Sequence, residues 1–74
     1  MIRLDEAKEN QNYKVISISG DDRFVSRITS IGITIGNLIK IVKNKSKYPI
    51  LIYSRDTIIA IGRNESDKIK LEVV

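Results

Sequence analysis

Five short runs rich in β-branched residues set the terms for this chain: YKVISIS at 13–19, NLIKIVKN at 37–44, PILIYS at 49–54, TIIAIG at 57–62 and IKLEVV at 69–74. Branching at Cβ suits a pleated, half-buried strand. The last run is the clearest, because Ile69, Leu71 and Val73 alternate with Lys70 and Glu72 in the period-two pattern of a strand with one buried face. Short strands separated by short turns predict a small β-barrel or sandwich. With 74 residues the chain makes one domain, spanning 1–74, near the lower size limit for independent folding.

A single helix is expected between the first and second runs. Asp21 or Asp22 can cap it, since a carboxylate accepts the free N–H groups of the first turn and complements the dipole. Phe24, Ile28 and Ile31 then share one face, with Val25 at its shoulder, and Arg23, Arg27 and Ser30 lie opposite. Gly32 closes the helix and Gly36 supplies a tight turn into the next strand. The segment GITIG is therefore a helix stop, a link and a turn. It is not a phosphate loop: no Lys-Ser/Thr follows, and the helix precedes the glycines rather than following them. SRDT reads as a hairpin turn and Pro49 as a strand start, where its missing N–H does little harm. RNESDK reads as a polar loop or helical turn, and LDEAKEN as a short helical turn.

Composition restricts the chemistry more than the fold. There is no cysteine and no histidine, so a disulfide, a thiolate zinc site and a nucleophile–imidazole pair are all excluded. Only oxygen donors remain for a hard cation. The carboxylates Asp5, Glu6, Glu9, Asp21 and Asp22 are accounted for by helical first turns, and no pair is placed for acid–base work. No catalytic, cofactor or metal-ligating residue is assigned. The charged N-terminal stretch does not read as a signal peptide, and no apolar run approaches the ~20 residues of a membrane helix. The expectation is a soluble, cytoplasmic protein that reaches a membrane only through a partner.

What remains is surface. Lys43, Lys45 and Lys47, followed by Tyr48, form a basic loop in a chain of net charge +4. Such a loop attracts phosphates, but with so few aromatic side chains to stack bases it reads first as a solvated connection that keeps strand edges unpaired. Arg23 and Arg27, beside the apolar stripe that contains Ile28, form a second candidate face.

The stretch RITSIGITIGNLIKIV resembles the FeoA family pattern Arg-Leu-x-x-Leu-Gly-apolar-x-x-Gly followed by a strand. The resemblance runs nearly end to end. MIRLDEAKENQNYKVISISG is similar to the family's opening turn and first strand. KYPILIYSRDTIIAIG is similar to its Pro-initiated hairpin, with Ile59, Ala60 and Ile61 in the Ile-Ala-Leu position, and RNESDKIKLEV to its closing turn and strand. Glu9-Asn10, Ile35 and Asp56 depart from the family's usual Pro-Gly, Pro and Gly, and the turns remain feasible because Asn and Asp tolerate the left-handed region.

The resemblance implies a mainly β fold, an SH3-like barrel of about five strands with one helix after the first. It also implies a non-enzymatic accessory of ferrous iron transport that binds the cytoplasmic GTP-binding domain of a FeoB-type permease, with no cofactor of its own. Arg23, Arg27, Ile28, Lys43, Lys45, Lys47 and Tyr48 are the candidate contacts. The alternatives are an SH3-like nucleic-acid-binding module, which the composition does not favour, and a metal-responsive regulatory module. Homo-oligomerisation stays open.

Overall fold

The computed structural model describes residues 1–74 and places every one of the five runs in a strand. In chain order the elements are β1 (Ile2–Arg3), a 3₁₀ turn (Leu4–Glu6), β2 (Asn12–Ile18), α1 (Asp22–Ser30), β3 (Leu38–Lys43), β4 (Ile50–Ser54), β5 (Thr57–Ile61), α2 (Arg63–Ser66) and β6 (Ile69–Val73). One antiparallel sheet results, in the order β1-β6-β2-β3-β4-β5. It has six strands rather than the expected five, because Ile2 and Arg3 pair with Leu71 and Lys70. The sheet curls into a barrel-like shape without closing, and β1 and β5 remain its two edges.

Alternation decides the two faces. Tyr13 and Val15, Ile39 and Ile41, Ile50 and Ile52, Ile59 and Ile61, and Ile69 and Leu71 are all buried. Leu4, Ala7, Phe24, Ile28 and Ile33 complete the core. A buried hydroxyl must be paired: Tyr13 Oη accepts from the Lys8 backbone N–H at 2.9 Å, tying the N-terminal segment to β2. Ser54, also buried, accepts from Asn37 Nδ2 at 3.2 Å, and Asn37 Nδ2 in turn donates to the Gly32 carbonyl at 3.1 Å. The link between α1 and β3 is thus fastened to β4 by side chains.

Helix α1 is capped as expected at Asp21, whose Oδ1 accepts from the Phe24 N–H at 2.8 Å. Its other end corrects the sequence reading. Ile31 does not continue the apolar face; it is the C-cap residue and stays 41% exposed. Gly32, at φ +112°, closes the helix as expected, but the C-cap residue before it has already left the apolar face, and Ile33 enters the core instead. The β4–β5 hairpin turns through Arg55 and Asp56, with φ of +51° and +64°, the sign pattern of a type I′ turn. Strand β3 carries a bulge: Ile41 faces Ile52, but Lys43 faces Leu51, so Val42 and Lys43 both stay exposed.

Candidate partner-binding surface

The two basic regions singled out from the sequence lie on different elements, and α2 connects them. On α1, the guanidinium of Arg27 forms an ion pair with Glu65 of α2. It also lies over the ring of Phe24, 5.6 Å from the centroid, while Lys68 Nζ stands 4.7 Å from that ring. A ring face attracts cations through its quadrupole, so Phe24 gathers two positive groups from separate parts of the chain.

From the same short helix, Arg63 reaches the 44–48 loop. Its guanidinium donates to Asn44 Oδ1 at 2.9 Å, to the Lys45 carbonyl at 3.3 Å and to the Tyr48 carbonyl at 3.4 Å. Arginine's planar fork suits several acceptors at once. Asn44 completes the arrangement: its Nδ2 donates to the carbonyls of Asp5 (3.1 Å) and Ala7 (2.6 Å), and its backbone N–H donates to Glu9 Oε2 at 2.8 Å. Both ends of the amide are used, which fixes its orientation.

The loop's shape follows. With its carbonyls held from below, the side chains of Lys45, Lys47 and Tyr48 project into solvent, and Lys47 takes φ +72° to make the turn. Tyr48 is 63% exposed at the tip. Arg23 is exposed on the first turn of α1, and Lys43 is exposed at the β3 bulge. The resulting surface runs from α1 across α2 to the loop. Ile28 leaves the candidate set: it is 0% exposed and belongs to the core, because the apolar stripe of α1 faces the sheet.

Sequence reasoning missed Asn44, Arg63 and Glu65, which join these pieces. Nothing local marks them; RNESDK carries no periodicity, and their side chains' partners lie 15 or more residues away. The N-terminal carboxylates are engaged internally. Arg3 donates to Asp5 Oδ1 at 3.0 Å, and this hydrogen bond holds the Asp5 carboxyl below its ordinary range. Glu6 accepts from the Arg3 backbone N–H at 2.8 Å.

A barrel-like antiparallel sheet with one capped helix, a short second helix and a tethered basic loop defines a small SH3-like β-domain. No helix in it is long and apolar enough to cross a membrane. Residues 2–73 match the model of the FeoA domain, and the chain belongs to that family. Over 72 residues it is 35% identical to the protein named "Putative Fe(2+) transport protein A" of Methanocaldococcus jannaschii, covering 97% of this chain and 87% of that one. The crystal structure of an iron uptake regulatory protein, FeoA, aligns with a TM-score of 0.92 at 22% identity, covering 99% of this chain and 97% of the other. ScaR with bound Zn²⁺ aligns with a TM-score of 0.89 at 16% identity, over all of this chain and 37% of that one. At these identities the two structures speak for the fold alone.

Proposed function

We propose that this protein is a cytoplasmic, non-enzymatic accessory of ferrous iron transport that binds the GTP-binding domain of a FeoB-type permease through the surface running from α1 to the 44–48 loop. The observation that carries the reading is the family match across nearly the whole folded chain, residues 2–73. The relative that is 35% identical, named for Fe(2+) transport, agrees with it. Iron is then the permease's cargo. Without histidine or cysteine, this chain has little with which to hold a borderline metal.

Arg23, Arg27, Lys45, Lys47 and Tyr48 are the contacting side chains in this reading, with Lys43 at the flank. Exposed cations steer an encounter with an acidic surface, and a projecting tyrosine supplies rigid contact area. Calorimetric titration against the permease's soluble GTP-binding domain tests it. Binding at or below tens of micromolar is expected, weakened about tenfold by the Lys45→Glu, Lys47→Glu pair. Absence of binding, or binding indifferent to that pair, overturns the reading or its placement respectively.

A further inference from the structure

The outer face of the sheet is polar over one half and apolar over the other. Register shows the division directly. One row across the strands reads Glu72, Lys14, Leu38, and the next reads Asn12, Lys40, Tyr53, Ile58. Over β6 and β2 the outward residues are Lys70, Glu72, Asn12 and Lys14, as expected for a solvated antiparallel face. Over β3, β4 and β5 they are Leu38, Val42, Leu51, Tyr53, Ile58 and Ala60, interrupted by Lys40 and, opposite Leu51, by Lys43. Leu38 is 62% exposed, Ile58 53% and Tyr53 42%. A contiguous apolar patch on one half of a face whose other half is charged marks a contact surface.

We infer that this half-face docks an acidic amphipathic helix of a partner protein. Width is the first argument. Three strands spaced about 4.8 Å apart present a face about 10 Å across, which is the breadth of one helix with its side chains. Charge is the second. Lys40 sits at the centre of the patch and takes part in none of the molecule's ion pairs, while Lys14 and Lys43 stand on its margins. Asp56, the carboxylate beside Tyr53, already accepts from Tyr53 Oη at 2.7 Å, and Glu72 lies beyond Lys14 on the polar half. A shallow hollow of about 350 Å³ lies beside Lys40, lined by Asn10, Lys40, Val42 and Tyr53. A glutamate of the docked helix fits there, its methylenes on Val42 and its carboxylate toward the Lys40 ammonium and the Asn10 amide. A second copy of this chain is the poorer occupant, because a two-fold contact centred on the patch would bring Lys40 against its own symmetry mate.

The inference concerns a face that meets the α1-to-loop surface only at Lys43 and stands whatever that surface binds. The test uses two synthetic helical peptides, one with leucine and glutamate on a single face and one with lysine replacing every glutamate. Amide resonances of the ¹⁵N-labelled protein are followed on titration. The acidic peptide is expected to shift Leu38, Lys40, Val42, Tyr53 and Ile58 and to bind at least about tenfold more tightly than the basic one. Leu38→Thr with Ile58→Thr should weaken it at least about fivefold, and Lys40→Glu should reverse the preference; these side chains are exposed, and an unchanged thermal midpoint confirms the fold. No shift up to about 1 mM peptide, shifts confined to Arg23, Arg27 and 45–48, or a self-association that Ile58→Thr abolishes would each overturn the inference.

Discussion

Arg63 and Asn44 hold each other across the molecule, a guanidinium nitrogen of one 2.9 Å from the amide oxygen of the other, and each is anchored on its far side to backbone carbonyls. Asn44→Ala removes the acceptor for Arg63 and leaves the Asp5 and Ala7 carbonyls without their donor. The expected cost is about 2–3 kcal/mol. It should appear as a lower urea midpoint with an unchanged slope, since the surface exposed on unfolding is the same.

Ile28 and Ile31, three residues apart, should behave oppositely. Ile28→Ala empties a fully buried site and is expected to destabilise by about 2–5 kcal/mol. Ile31→Ser alters an exposed C-cap side chain and should stay within about 0.5 kcal/mol of wild type. Paired denaturation curves check both.

Tyr53 donates to Asp56, and this hydrogen bond, with the nearby negative charge, raises the phenol above its ordinary value. The bond therefore contributes stability at pH below the ordinary tyrosine range, and that contribution is lost as pH climbs through the raised value. Asp56→Asn keeps a residue that tolerates φ +64° but removes the charge. The ultraviolet titration of Tyr53 should then move down toward pH ~10.

Arg3 and Asp5 define the acid side. Asp5 is held below its ordinary carboxylate value, first by the hydrogen bond from Arg3. Its contribution is complete above the unfolded value, near pH 4, and disappears as pH falls through the depressed one. Asp5→Asn should flatten the stability profile below about pH 4 and leave its shape near neutrality unchanged. Arg3 and Asp5 are both partly open to water, so the effect in either variant is small.

The parts of the fold that were legible in the sequence are those written in local chemistry. Alternation gave β6, β-branching gave the four strands before it, and Asp21 marked the start of α1. The two-residue β1 has no period to detect, and it exists only because β6 offers a partner. Ile31 was misplaced because helical spacing carries the apolar face on to the C-cap residue, whose side chain stays in water. The apolar half-face was hidden for another reason. In LIKIV, ILIY and TIIAI, inward and outward residues are both aliphatic, so the string cannot say which set meets water; only the register does. Of the proposed contact surface, the lysines and arginines were visible as residues. Their common footing on α2 depends on contacts between distant segments.

The bulge in β3 has a consequence for everything downstream of it. Ile39 and Ile41 point inward, and uninterrupted alternation would send Lys43 inward as well. The extra residue resets the phase, so that Lys43 stays in water and Asn44 arrives aimed at the N-terminal carbonyls and Arg63. Were Val42 paired as an ordinary rung of the ladder, Lys43 would turn inward and the whole 44–48 loop would fall out of step with the helix that carries it. A one-residue irregularity in a ladder thus acts as the timing element for a surface assembled from three separate parts of the chain.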